Sequence, residues 1–496
     1  MTNIPFENTY AELGETFYFK NEPRPVSNPQ LIIFNTKLTK NLGLQNTSMC
    51  DDPSSYFSGN KILSGSDPLA MAYSGHQFGH FSPQLGDGRA VLLGNFRTPS
   101  GCLKDLQLKG SGKTYFSRGG DGRSALGPVL REYLVSEAMY HLGIPSTRAL
   151  AAVTTGDNVV REKLIAGGII TRISNSFVRV GTFQFFSSQN DHKSVKKLAD
   201  YVLERNYPQV PSNEEKYRHL LREVIKSQAY LISKWMTVGF IHGVMNTDNA
   251  SICGETIDFG PCAFMDDFDF NKKFSSIDEQ GRYAYSNQPP IALWNLTRFA
   301  ESILSLLSGD QKTAIKIAED ELNQFVGLYE RFWLDEMRNK LGLADGESGS
   351  KKRGDKKLVD ELLTIMSESK VDFTQTFYFL SELDKNETTA DENLLNLFHN
   401  TDSIISWIKS WRAAIGESNL DESERKAMMQ KANPVVIPRN HQIERAIRAA
   451  EDHHDFGPFN ELNAVLQSPY QFDQNKINYM LPPTSNEAVQ RTFCGT

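Results

Sequence analysis

The residues best equipped for chemistry lie in one stretch, FIHGVMNTDNASICGETIDFGPCAFMDD, residues 240–267. Asn249 and Asp258 offer hard oxygens of the kind that hold Mg²⁺ against a polyphosphate. Asp248, beside Asn249, is a carboxylate that could take a proton from an incoming hydroxyl. Four cations upstream, Arg89, Lys109, Arg172 and Arg179, would neutralise phosphates, a heavy complement for one nucleotide. Such a surplus suggests a triphosphate held so that its α-phosphorus, not its γ, faces the acceptor. The group moved would then be a nucleotidyl group, with pyrophosphate leaving.

The order His242, Asn249, Asp258-Phe259-Gly260 follows the frame of the protein-kinase catalytic and metal loops, H-R-D-x-x-x-x-N followed by D-F-G. The third residue of that frame is the catalytic Asp. Here it is Val244, which can neither accept a proton nor orient a hydroxyl. The local carboxylate base has moved to Asp248.

Several elements must position these groups. Gly86-Asp87-Gly88-Arg89 reads as a tight turn feeding an apolar strand from Ala90 to Leu93; Gly86 and Gly88 would let a backbone approach phosphate and Arg89 grip it. DLQLKG, residues 105–110, alternates as a strand and ends at Lys109, where a kinase keeps its phosphate-pairing lysine. GSGKT at 110–114 is no Walker A loop, because Gln107 stands where that motif needs its first glycine. A second Gly-Asp-Gly-Arg, residues 120–123, precedes a helix with Pro128 in its first turn, an apolar stripe of Leu130, Leu134, Ala138 and Leu142, and a stop at Gly143. In the place of the kinase αC, that helix offers Glu132 and Glu137 as partners for Lys109, with Glu132 preferred. A strand pair is expected from Ala149 to Phe186. Arg172 and Arg179 fall within it, and guanidinium groups in so apolar a stretch need an anion.

A charged linker is expected near 188–197, then a long amphipathic helix over 213–237 ended by Gly239. ASICGETI, between Asn249 and Asp258, has the length of a small hairpin turning at Gly254-Glu255. From about 290 the pattern is helical, interrupted by a polar surface loop at 345–357. His453 and His454 are adjacent, do not share a helix face, and are set aside as metal ligands.

The fold class expected is α+β, a protein-kinase-like bilobal fold. Residues 1–60 would form an N-terminal extension, 61–190 a mostly β N-lobe with one αC-type helix, 191–300 the catalytic part of a helical C-lobe, and 301–496 its helical extension with a cysteine tail. At 496 residues the chain is too long for one ordinary core. A net charge of -7 argues against nucleic acid as a partner. No apolar run reaches the roughly 18 to 20 residues of a membrane span, and the N-terminal residues show no targeting pattern, so a cytoplasmic protein is expected. Cysteines 50, 102, 253, 262 and 494 form no C-x-x-C, which argues against zinc or a disulfide framework. Cys494, three residues from the end, would be an accessible thiol.

SGHQFGHFSPQLGDGRA, LQLKGSGKTYFSRGGDGR, REYLVSEAMYHLGIPSTRAL, and IHGVMNTDN with IDFGP together resemble the selenoprotein O family, also called the YdiU family, of kinase-like protein adenylyltransferases. The likeness runs over roughly residues 5–496. It implies a kinase-like fold that binds ATP in a flipped orientation and transfers AMP to Ser, Thr or Tyr hydroxyls of proteins. Uridylylation from UTP with Mn²⁺ is also attributed to bacterial members. By the same resemblance the nucleotide contacts are Gly86, Gly88, Arg89, Lys109, Asp121, Gly122, Arg172, Arg179 and Asp258. The general base is Asp248, and the ligands of Mg²⁺ or Mn²⁺ are Asn249 and Asp258. Two departures stand out: Lys113 replaces an expected non-basic residue, and the loop before GRY lacks the cysteine that many members pair with a C-terminal one. Cys494 persists without that partner, and Cys262 is one substitute for it. The alternatives are a kinase-like phosphotransferase, which Val244 disfavours, and a catalytically inactive pseudokinase scaffold.

Overall fold

The computed structural model describes residues 2–343, 349–385, 391–417 and 420–493, and Cys494 lies outside them. Two strands come from the lead-in, β1 (Tyr18–Lys20) and β2 (Gln30–Phe34). They are followed by β3 (Leu69–Met71), a hairpin of β4 (Gly75–Gln77) and β5 (His80–Ser82), then β6 (Ala90–Arg97), β7 (Leu103–Lys109), β8 (Ser124–Ala125), β9 (Arg148–Val160) and β10 (Leu164–Ser174). The main sheet runs β1-β3-β6-β7-β10-β9-β2, with β8 paired to β10, and its pairs are antiparallel.

Register decides which chemistry the sheet carries. Gln107 faces Arg172 across β7 and β10, and Lys109 stands two residues along β7 from Gln107. Side chains alternate faces along a strand, so these three share one face. Leu106, Leu108, Ile169 and Ile173 occupy the other, packed with Leu38 of α1 (Thr36–Asn41) and Phe57 of α2 (Pro53–Phe57). A face lined with Leu and Ile is dry and rigid, which fixes the polar face opposite it.

That polar face is covered by α3 (Leu126–His141), which is buried nearly all round, including Arg131, Glu132 and Glu137. No side chain caps α3 from its own sequence. A carboxylate from far along the chain does so instead: Glu451 Oε1 accepts from the Gly127 N–H at 2.8 Å. Glu451 belongs to a helix over Asn440–His453, and that helix and the next, Gly457–Leu466, both pack on α3, with Tyr133 against Phe459 at 5.7 Å.

Beyond Ser174 the described chain is mainly helical: α4 (Val180–Ser187), α5 (His192–Asn206), α6 (Lys216–Thr237), α7 (Gln288–Ser302), α8 (Leu304–Leu307), α9 (Gln311–Leu322), α10 (Gln324–Leu341), α11 (Gly349–Ser369), α12 (Phe373–Glu382), α13 (Asp391–Leu395), α14 (Asp402–Gly416), α15 (Glu422–Ala432), α16 (Asn440–His453), α17 (Gly457–Leu466) and α18 (Ile477–Met480). Helix α6 is the amphipathic helix expected there, and Gly239, at φ 70°, turns the chain out of it. A two-residue pair, β11 (Phe240–Ile241) with β12 (Ala263–Phe264), then brackets the Asp248–Asp258 loops. The fold is thus α+β, sheet-rich first and helical after. Among the described residues no helix is long and apolar enough to cross a membrane.

Four local expectations are corrected. The strand pair stops at Ser174, and 180–187 is helical, its first turn held by the Thr182 hydroxyl, which accepts from the Arg179 N–H at 3.2 Å. The supposed linker at 188–197 holds the start of α5: Asp191 accepts from the Ser194 N–H at 3.1 Å, and Val195, Leu198, Ala199 and Val202 supply a buried stripe beneath the charges. ASICGETI is no hairpin, because each half pairs elsewhere: Ser251 bridges Arg179 and Thr256 bridges Ser146. The expected loop at 345–357 enters α11 at Gly349, while its first residues lie outside the described chain.

Candidate functional site

Lys109, at the end of β7, donates to Glu132 Oε2 at 2.7 Å and to Asp258 Oδ1 at 2.6 Å. Of the two glutamates on α3, Glu132 is therefore the lysine's partner. Glu137 instead accepts from Arg148 at 2.8 and 2.7 Å, from the Ala149 N–H and from Asn35, a structural knot on the far side. Arg172 reaches the same pair as Lys109, Glu132 Oε1 at 3.1 Å and Asp258 Oδ1 at 3.0 Å, while its Nε donates to Gln107 at 3.2 Å. Asp258 thus gathers Lys109, Arg172 and, at 3.7 Å, Arg179. Burial alone would raise the Asp258 pKa, yet these three cations hold it well below the usual carboxylate range. Asp258 also sits at φ +63°, a left-handed conformation that costs a non-glycine residue on the order of 1–3 kcal/mol and tends to mark functional sites.

Arg179 is delivered by a short pairing between segments. Val180 N–H donates to the Ala250 carbonyl at 2.9 Å and Ile252 N–H to the Val178 carbonyl at 3.1 Å, which lays Arg179 against the Asp248 turn. Its Nη1 donates to the Asp248 carbonyl at 3.0 Å, and its guanidinium stacks on Tyr73 at 4.4 Å. Arg179 Nη2 is buried without a hydrogen-bond partner, and so is Asp248 Oδ1. An unmet buried donor or acceptor costs about 1–3 kcal/mol, so one of each at adjoining residues marks a place where a ligand would be favoured.

Asp248 lies in a 3-10 turn, Thr247–Asn249. Burial pushes its carboxyl up to about 6, against the pull of its own backbone N–H, Arg179 and Gln77. The β4–β5 hairpin closes over it: a Cβ on Gly75 would stand 2.6 Å from Asp248 Oδ1, and Gln77 Nε2 donates to Oδ2 at 3.4 Å. Asn249 Nδ2 donates to the Val244 carbonyl at 3.0 Å, which leaves Oδ1 as the acceptor of that amide. His242 is buried and neutral, its pKa lowered by burial. Nε2 donates to the Ile257 carbonyl at 2.9 Å and Nδ1 accepts from Val244 N–H, so the ring ties the Val244 loop to the residue before Asp258.

The Gly86–Arg89 turn is held from behind. The Gly86 φ is +67°, and a Cβ there would fall 2.1 Å from the Phe116 ring. Ser117 and Thr114 hydroxyls donate to the Gly88 and Asp87 carbonyls. Arg89 follows, half-buried, its carbonyl accepting from Gly110 N–H at 2.7 Å, so this turn lies beside the end of the Lys109 strand. Asp121 and Gly122 lie farther round the same β7–α3 loop. Arg161 grips Asp121 at 2.8 and 3.2 Å and holds its carboxyl below the usual range, and Gly122 accepts from Gly112 N–H. No described hydrogen bond joins them to Lys109, Arg172, Arg179, Asp248 or Asp258. Cys262 is buried, and burial pushes its thiol up to about 12.

Sequence reasoning missed Asp87, Gln107, Gln77, Asn246 and Tyr283. Asp87 is buried and its pKa is raised by burial; Gln107 Nε2 donates to it at 3.2 Å and Arg179 stands 3.9 Å away. Asn246 Oδ1 accepts from Phe78 N–H at 3.1 Å and from the Tyr283 hydroxyl at 2.7 Å, pinning the hairpin tip. Only the pairing of Gln107 with Arg172 could have been guessed, from strand alternation.

Among the described residues no three His, Cys, Asp or Glu side chains are grouped to hold a metal. Asn249 and Asp258 nevertheless suit a hard cation that keeps phosphate and water oxygens in the rest of its shell, as Mg²⁺ does.

A family model described as Protein adenylyltransferase SelO matches residues 1–467. Protein nucleotidyltransferase YdiU of Rhizobium meliloti (strain 1021) is 49% identical over 496 residues, covering 100% of both chains. The protein of that name from Rhodopseudomonas palustris (strain BisB18) is 50% identical over 100% of this chain and 99% of its own. Another, from Agrobacterium fabrum (strain C58 / ATCC 33970), is 49% identical over 99% and 100%. By kinship the class is that of the nucleotidyltransferases. Within it, this chain belongs to the protein adenylyltransferase SelO family.

Proposed function

We propose that this chain transfers AMP from ATP to Ser, Thr or Tyr hydroxyls of other proteins and releases pyrophosphate. The observation that carries the reading is the contrast between Val244 and Asp248. Val244 is buried and gives its carbonyl to Asn249, whereas Asp248 keeps a buried carboxylate oxygen with no donor. In this reading Asp248 takes the hydroxyl proton, the acceptor oxygen bonds to the α-phosphorus, and the α–β bridging bond breaks with its electron pair leaving on pyrophosphate. Lys109, Arg89, Arg172 and Arg179 neutralise the phosphates. The backbone at Gly86, Gly88 and Gly122, with Asp121, shapes the nucleotide's seat. Asn249 and Asp258 would hold Mg²⁺ or Mn²⁺, which when bound offsets charge on the phosphate oxygens. The bilobal kinase-like division, with the nucleotide between residues 61–190 and 191–300, belongs to the same reading and is supported by family membership.

ATP labelled at the α-phosphate, run beside ATP labelled at γ, tests it. Label reaching protein from α alone is expected, and label arriving only from γ would mean phosphoryl transfer. α-Labelled UTP in parallel, with Mg²⁺ and with Mn²⁺, decides whether UMP is also moved.

A further inference from the structure

The β4–β5 hairpin links the Asp248 turn to a patch of rings and cations that contributes nothing to the phosphate cluster. Its first strand lies on the carboxylate through Gly75 and Gln77. Its tip and second strand turn outward, with Gly79, His80 and Phe81 exposed. Two residues past Gln77, a Cβ on Gly79 would stand 3.7 Å from the Arg282 guanidinium carbon. Counted along β4 from Gly75, which touches the Asp248 carboxylate, a rise of about 3.3 Å per residue up to the turn puts that cation on the order of 10 Å from Asp248. Trp294 of α7 is bracketed by two guanidinium groups, Arg282 at 4.9 Å and Arg298 at 5.1 Å from its ring centre, and His76 packs edge-on at 5.2 Å. Phe81 completes the platform, 4.9 Å from the His76 ring.

The two arginines differ in one respect. Arg298 is matched by Glu301 at 2.6 Å. Arg282 pairs with no carboxylate among the described residues, and its Nε is buried without an acceptor. Asp278 gives its two oxygens to the backbone N–H groups of Arg282 and Tyr283, at 2.8 Å each. A chain of net charge -7 has many carboxylates to offer a cation, yet this one is left unmatched beside aromatic surface near the proton acceptor.

We infer that the Arg282–Trp294 platform receives the acceptor protein, and that it favours a hydroxyl residue with Asp or Glu two or three positions away. The identity of the occupant rests on the transferase reading. Extended chain advances about 3.3–3.6 Å per residue, so a side chain two or three positions from a hydroxyl at Asp248 reaches Arg282, whose planar fork suits a carboxylate. Trp294 and Phe81 would take an apolar neighbour.

Two fluorescent synthetic peptides test this, identical except for Asp or Lys at the second and third positions on either side of a central tyrosine. The Asp peptide is expected to bind the full chain about tenfold more tightly than the Lys peptide, and Arg282→Gln to cut that gap to under twofold with ATP binding unchanged. Arg282→Lys should keep part of the preference. Equal binding of the two peptides, a gap that persists in Arg282→Gln, or displacement of the Asp peptide by a single-stranded oligonucleotide at equal concentration overturns the inference. Peptide binding is read without transfer, so discrimination between peptides with no α-label ever reaching tyrosine would overturn the transferase reading and leave the platform standing.

Discussion

At the scale of single residues, the proposed site divides into groups that would meet phosphate and groups that aim them. Asp248→Asn keeps the shape of the turn but removes the proposed proton acceptor. Transfer should fall by about 10²–10⁴-fold while ATP affinity, measured by titration calorimetry, stays within a few-fold. Asp258→Ala has a different signature, because it also leaves Lys109, Arg172 and Arg179 without their common carboxylate: activity is expected to vanish and thermal stability to change with it, read by scanning calorimetry. Gly86→Ala puts a methyl into the Phe116 ring at a left-handed position, so the KM for ATP should rise more than kcat falls. Much of this scale was legible in the sequence. The order of His242, Asn249 and Asp258 and the substitution at Val244 are one-dimensional facts, and they located the proton acceptor candidate. Asp87, Gln77 and Asn246 were not legible, because their partners are brought to them by folding from 20 to 171 positions away.

At the scale of elements, α3 depends on a partner that its own sequence does not announce. Its N-terminus is capped by Glu451, and Arg131 on its first turns donates to Asn440 and to the Cys262 carbonyl, both at 3.2 Å. The helix that supplies Glu132 to Lys109 is therefore fixed by the C-terminal helices. Glu451→Ala should cost about 1 kcal/mol of stability, as loss of a capping acceptor does, and lower transfer through looser placement of Glu132. Denaturant unfolding and initial rates on the same variant check both halves. The apolar stripe of α3 was plain in the sequence, and so was α6. What misled was charge: residues 188–197 look like a linker because their buried stripe, Val195 and onward, is spaced three and four apart beneath lysines. Apolar composition misled equally at 180–186, where a helical turn started by the bond from the Arg179 N–H to the Thr182 hydroxyl replaces the expected strand.

At the scale of the whole molecule, a titratable group far from the cluster sets a pH response. Lys340 on α10 is buried over the Phe377 ring at 4.3 Å, with the Ala432 carbonyl 3.3 Å from its Nζ, and burial lowers its pKa to about 7. Between that value and the ordinary lysine range the unfolded chain binds the proton that the folded chain has lost. Stability contributed by this residue therefore rises with pH from about 7 upward and is smallest below it. Lys340→Met should raise the midpoint of unfolding at pH 6.5 and flatten its climb towards pH 9, a slope readable by circular dichroism. The general plan, a sheet-rich part followed by helices, followed from periodicity alone, whereas the docking of the last helices on α3 did not, since contacts between residues 127 and 451 leave no local trace. Asp258 and Glu132 bring two negative charges to the three positive ones of Lys109, Arg172 and Arg179, so an anion that drew those cations to itself would leave buried carboxylates short of partners. In the proposed transferase, a nucleotide that brings a divalent ion would offer its phosphates to the arginines and lysine and the ion to Asp258 in exchange. Under that reading orthophosphate and sulfate should compete poorly with ATP, and ATP affinity measured by titration calorimetry should fall when EDTA removes the divalent ion.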